Sequence, residues 1–203
     1  SKKIFFKYKK KFPSKFSLFF PWAQRNYKPP LYNLKRNTIL FYGYIDDRID
    51  WSLLQDIIKN TNFSYRFVGP ILDKSVKEKI DYLCINKNFK YSNSSKLSHD
   101  VLNGVFCSLI PYSENIKGVD AVTISNRTIQ LLSYGIPIIT KKMKFTLIKK
   151  NVIFSYNSKN QLLINLNEIK IKFINFQIHI KKFVEENNER FRYTELMKKI
   201  KNC

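Results

Sequence analysis

The strongest constraint on this chain is a series of short apolar runs, each followed by a stretch with helical periodicity. Thr38–Ile45 (TILFYGYI) holds no charge and is rich in β-branched and aromatic residues, the pattern of a strand buried on both faces. Val105–Ile110 (VFCSLI) and Ile136–Thr140 (IPIIT) read the same way. Phe63–Val68, closed by Gly69-Pro70, and the shorter Phe89–Tyr91 and Val152–Ser155 extend the set. Between them, Asp50 is placed to N-cap a helix over Trp51–Asn60, with Leu53, Leu54, Ile57 and Ile58 on one stripe. Ser75–Leu83, Lys96–Leu102 (stopped by Gly104) and Asn126–Tyr134 (stopped by Gly135) read as further helices. Two more are expected over Asn160–Asn167 and Asn175–Lys201, with Ile169–Phe176 competing as a strand. Phe16–Phe20 (FSLFF) reads as a strand, and Pro21–Pro30 as a connector.

Strands alternating with helices at this spacing predict an α/β fold: a Rossmann-like parallel sheet flanked by helices. Such sheets bind ligands beyond the carboxyl ends of their strands. Here those ends are Gly43–Arg48, Gly69-Pro70, Tyr91–Ser95, Pro111–Lys117 and Ser125–Arg127.

The formal charge of +22 is unevenly placed. Residues 1–36 hold eleven Lys or Arg and no acid, residues 37–140 are almost balanced, and residues 141–203 are basic again. The reading is therefore a basic N-terminal segment or linker (1–36) ahead of a balanced domain with a C-terminal helix (37–203). A nucleic-acid module carries its basic stripe across the fold itself, so this placement argues against nucleic acid as a partner. It suits attraction to an anionic membrane surface, worth about 1 kcal/mol per basic residue. The excess of Lys over Arg, with abundant Asn, Ile, Phe and Tyr, is also what an AT-rich genome encodes. The three cysteines are widely spaced, and His99 and His179 are the only histidines, so neither a zinc site nor a disulfide framework is expected. The chain starts with Ser and has no signal-peptide pattern. It reads as a cytoplasmic chain, either whole or a piece that begins within a longer protein.

The most informative stretch is Thr123–Thr140 (TISNRTIQLLSYGIPIIT). Ser125 or Asn126 caps a helix that opens with Arg127. Open backbone N–H groups and the helix dipole make such a start an anion site, and a guanidinium there adds a bidentate grip on phosphate. Gln130 lies one turn on, on the face of Asn126. The plainer alternative is a capped helix with a surface arginine. Asp46, Asp47 and Asp50 read as a turn and a cap rather than a metal cluster, and Arg48 can equally be a surface partner of Asp46 or Asp50.

The order of these elements resembles the C-terminal, donor-binding domain of bacterial GT-B glycosyltransferases. The first strand ends in Tyr42-Gly43-Tyr44-Ile45-Asp46-Asp47-Arg48-Ile49-Asp50, similar to that group's Tyr-Gly-x-Ile-Asp-x-Arg-Ile-Asp pattern. Asn126, Arg127, Gln130, Gly135 and Pro137 resemble its Asn-Arg-x-x-(Glu/Gln)-x-x-x-x-Gly-x-Pro block. The likeness covers about residues 36–200, a single GT-B half, with residues 1–30 resembling the tail of a first domain. Many retaining members carry two Glu at the places taken here by Val122 and Gln130, so neither position supplies a carboxylate.

The resemblance implies a nucleoside-diphosphate sugar as donor, with a sugar or lipid-linked acceptor in polysaccharide or glycolipid synthesis, at the inner face of the membrane. Arg127, with the backbone N–H groups of Ser125 and Asn126, would hold the diphosphate and stabilise the leaving group without a metal. Gln130 would hold the ribose. The turn from Gly43 through Asp46 to Arg48 would face the phosphates and the transferred sugar. Tyr91 and Asn93 stand where the base is read, although Tyr91 also suits a core position. The alternative is a non-catalytic one-domain module that docks on a membrane or protein partner by its basic ends.

Overall fold

The computed structural model describes residues 2–11, 23, 27–28, 35–94, 96–116, 119, 124–143 and 146–201. The elements run α1 (Lys2–Lys11), β1 (Thr38–Tyr42), α2 (Trp51–Asn60), β2 (Ser64–Val68), α3 (Lys74–Leu83), β3 (Phe89–Ser92), α4 (His99–Leu102), β4 (Val105–Ile110), α5 (Asn126–Ser133), β5 (Ile138–Lys141), β6 (Ile153–Tyr156), α6 (Lys159–Ile171), α7 (Phe173–Glu185) and α8 (Glu189–Lys201). All six strands are parallel, in the order β3-β2-β1-β4-β5-β6. This is the doubly wound order, and its direction reverses between β1 and β4.

The two central strands explain their own sequences. Thr38 to Phe41 of β1 and Val105 to Leu109 of β4 are all buried, so both pleat faces must be apolar. Phe41 stacks on Phe67 with ring centroids 4.9 Å apart, and Phe67 meets Phe89 at 5.2 Å. Helix starts are capped as their residue types dictate: Asp50 accepts from the Leu53 N–H, Ser125 from Thr128 and Ser158 from Gln161. Helix α6 packs on β4 and β6, and α5 on α7 and β5.

Two sequence expectations change. Residues 169–176 form no strand: they span the end of α6 and the start of α7, joined by a turn at Lys172, and Phe173, Phe176 and Ile180 form a buried stripe along α7. The last helix is two helices, α7 and α8, broken at 186–188. There the Asn187 side chain donates to the Phe183 carbonyl (2.7 Å), and Asn188 Oδ1 accepts from the Phe191 N–H (2.9 Å), so asparagine ends one helix and starts the next. Lys2–Lys11, where no period stood out in the sequence, forms α1. The expected strand Phe16–Phe20 falls outside the described residues.

Described residues ahead of β1 contact the helices. The Ala23 N–H donates to the Asn187 carbonyl (2.8 Å), and the Lys28 N–H to the Ser133 carbonyl (2.8 Å). Tyr27 Oη donates to Gln177 Oε1 (2.6 Å). The Arg36 guanidinium lies over the Phe173 ring at 4.3 Å and donates to the Val105 carbonyl. Among the described residues no helix is long and apolar enough to cross a membrane.

Candidate functional site

At the switch point, the carboxyl ends of β1, β4 and β5 open onto a cavity of about 220 Å³. Its walls come from the turn after β1 (Tyr44, Arg48), the end of β4 (Ile110, Tyr112), the start of α5 (Ser125, Arg127, Thr128) and the segment after β5 (Met143, Thr146, Leu147). The floor is apolar, with Phe41, Leu131, Ile138 and Ile153 among its residues.

The turn after β1 is held on both sides. The Gly43 N–H donates to the Val68 carbonyl (3.0 Å), and Ile45 to Pro70 (3.0 Å). On the other side, Asp50 donates to the Pro111 carbonyl (2.7 Å), and Ser113 to Arg48 (2.8 Å). The first attachment requires two glycines. A Cβ on Gly69 would stand 1.8 Å from the Gly43 carbonyl oxygen, and one on Gly43 would stand 2.8 Å from Arg127 Nη1.

Asp46 is buried, and its carboxylate is taken up by Arg48. It accepts from Nε (2.9 and 3.0 Å), from Nη2 (2.5 Å) and from the Arg48 backbone N–H (3.1 Å). That bonding raises the guanidinium pKa above its ordinary value against the opposing effect of burial. Arg48 also lies 5.2 Å over the Tyr112 ring. Burial raises the Tyr112 hydroxyl above its usual range, while Arg48 and Arg127 both pull it back. Two positive charges thus act on one phenol.

At α5, the Ser125 hydroxyl accepts from the Thr128 N–H (3.1 Å) and lies 2.9 Å from the Thr128 hydroxyl. The N–H groups of Asn126 and Arg127 belong to the first helical turn, which has no intrahelical acceptors for them. Arg127 is half-buried, with its guanidinium 4.2 Å from the Tyr44 ring centroid. Among the described residues no carboxylate pairs with it.

The fold therefore brings Arg48, Ser125 and Arg127 to one cavity, sets Gly43 against Arg127 and puts Asp46 behind Arg48. The other expected residues lie outside the lining. Asn126 is exposed, and Gln130 is half-buried one turn along α5. Tyr91 sits on the edge strand β3 opposite Phe67, packed on the core, and burial raises its hydroxyl. Asn93 is exposed just beyond β3. Val122 falls outside the described residues. Tyr44, Tyr112 and Thr146 were missed as individuals. The first two lie in the strand-end segments named from sequence, so their positions were readable but their partners were not.

No protein-family model matches this chain, and no curated protein is similar to it in sequence. Solved structures match it in fold. HepE of Anabaena in complex with UDP superposes with a TM-score of 0.66 at 9% identity, over 83% of this chain and 50% of that one. The lipopolysaccharide outer core galactosyltransferase WaaB gives 0.64 at 14%, over 92% and 55%. The GtfA/B complex gives 0.64 at 11%, over 90% and 39%. The chain thus spans between 39% and 55% of the length of these structures. At such identities the likeness is one of fold, and in fold the chain is a GT-B glycosyltransferase-like domain.

Proposed function

We propose that this domain is the nucleoside-diphosphate-sugar binding half of a glycosyltransferase that passes a sugar to a cell-surface polysaccharide or glycolipid acceptor. One observation carries the reading: Arg48, Arg127 and the open start of α5 converge on a single cavity at the switch point. Breaking the bond between the anomeric carbon and the diphosphate oxygen puts the bonding electron pair on the leaving nucleotide. Two guanidiniums and a helix start answer that charge with fixed dipoles, which need little reorganisation as it develops. They do so without calling on a metal. Among the described residues, no carboxylate lines the cavity. In this reading Gln130 receives the ribose, and Tyr91 with Asn93 the base.

The test is thermal unfolding with UDP, GDP, ADP or CMP, for wild type and Arg127→Ala. One nucleotide at about 100 times its wild-type dissociation constant should stabilise wild type by about 2.7 kcal/mol and the variant by only about 0.4–1.4 kcal/mol. A cooperative melt that no nucleotide shifts overturns the proposal.

A second reading, in which the domain only docks, is favoured by α1. That helix carries six lysines and no acid, with Phe6 and Tyr8 exposed, a chemistry suited to an anionic membrane surface. Sedimentation with anionic vesicles, lost when residues 1–15 are removed, together with no nucleotide binding, would select it.

A further inference from the structure

We infer that Tyr44 is a positioning residue for Arg127, holding the guanidinium by its face so that its edge stays open to an anion. This rests on the reading of Arg127 as a diphosphate contact. A guanidinium offers two different surfaces: its flat face attracts an aromatic ring, while its rim carries five N–H donors in a plane. The Arg127 guanidinium carbon lies over the Tyr44 ring, 4.2 Å from its centroid, and among the described residues no carboxylate takes up its rim. Gly43 also approaches the group closely: even a methyl group there would come within 2.8 Å of Nη1. Tyr44 and Gly43 are chain neighbours, so one short turn supplies both contacts to this side chain.

Arg48 is held differently. Asp46 occupies its Nε and Nη2 through hydrogen bonds, which takes two of the five donors that a ligand would use. A carboxylate partner fixes a guanidinium at the expense of its donors, whereas an aromatic partner fixes it and leaves the donors free. The same contrast explains why no acid is needed beside Arg127. Tyr44 remains 45% exposed, and its ring forms part of the cavity rim.

The test uses isothermal titration with inorganic pyrophosphate and with UDP, for wild type, Tyr44→Phe, Tyr44→Leu, Arg127→Ala and the double variant Tyr44→Leu/Arg127→Ala. Tyr44→Leu should weaken pyrophosphate binding about 3- to 30-fold, the range that a cation–π contact spans. Tyr44→Phe should stay within about twofold of wild type, since the ring face is what acts. In the Arg127→Ala background the leucine change should have no further effect. Equal binding by wild type and Tyr44→Leu, or an undiminished loss in the Arg127→Ala background, overturns the inference.

A ligand-free measurement separates this from the functional reading. The Arg127 Nε–H resonance, assigned by its disappearance in Arg127→Ala, should carry a ring-current shift in wild type and Tyr44→Phe that is gone in Tyr44→Leu. If wild type lacks that shift, the stacking is wrong whether or not anything binds. If the shift is present and neither pyrophosphate nor UDP binds, the donor-site reading fails, and the role of Tyr44 in gripping an anion fails with it.

Discussion

The two arginines of the cavity are a natural pair for comparison. Arg48 leaves a strand end and turns back onto a buried aspartate two residues away. Arg127 starts a helix, and among the described residues it lies over the Tyr44 ring and close to Gly43, with no carboxylate partner. The first is part of the architecture, because its loss would strand a buried carboxylate. The second contributes little to folding, and its N–H groups remain available. Equal charge at equal depth does not mean equal function, and what separates the two is how each cation is satisfied before any ligand arrives.

The largest effect is expected where both arginines lose their common wall. Gly69→Ala would drive a Cβ into the Gly43 carbonyl, displacing the turn that carries Tyr44 and Asp46. A cost of about 3 kcal/mol is expected from forced overpacking, read as a lower urea midpoint, with nucleotide binding lost as well. Wild-type stability in this variant would mean that the two turns are not in contact. Next, Arg127→Ala should weaken nucleotide binding by about 10- to 100-fold, the worth of charge-assisted hydrogen bonds, with an unfolding midpoint close to wild type. Asp46→Ala should do the reverse. It should cost about 1–2 kcal/mol of stability, discounted because Arg48 is partly exposed and can rehydrate, and weaken nucleotide binding less than Arg127→Ala does. If Asp46→Ala and Arg127→Ala have the same profile, the distinction between the arginines collapses.

The smallest effect is a reference point remote from the cavity. The exposed pair of Asp56 and Lys159, 2.5 Å apart, lowers the Asp56 pKa, chiefly through hydrogen bonds from Lys159 and Asn60. A carboxyl held low in the folded state stabilises above its unfolded pKa, and that contribution is lost as pH falls through the folded value. Melting temperature followed downward through the carboxylate range should therefore fall marginally more for wild type than for Asp56→Asn, and the difference should shrink in high salt.

The parts of the fold that were legible in sequence are those set by local chemistry. β1 and β4 announce themselves because strands buried on both faces admit no charge, and α2 and α5 because a capping side chain stands before each. The division between α7 and α8 was hidden, since asparagines inside a polar stretch do not reveal which backbone groups they serve. At the site, Arg48 and Arg127 were visible as cations at strand and helix ends. The stack of Tyr44 on Arg127 was not, because it joins residues from opposite sides of the switch point and depends on the register of β1 against β4. Tyr91 and Asn93, expected beside the ligand, lie on β3 and just beyond it, with β2 between them and the strands that open onto the cavity.

Helix α5 connects two features at its opposite ends. Its first turn presents Arg127 to the cavity, while the carbonyl of its last residue, Ser133, is bonded by Lys28 from the segment ahead of β1. At eight residues it is only about 12 Å long, too short to bend along its length. The residue that meets the cavity and the residue that meets the incoming chain therefore belong to one short, stiff element.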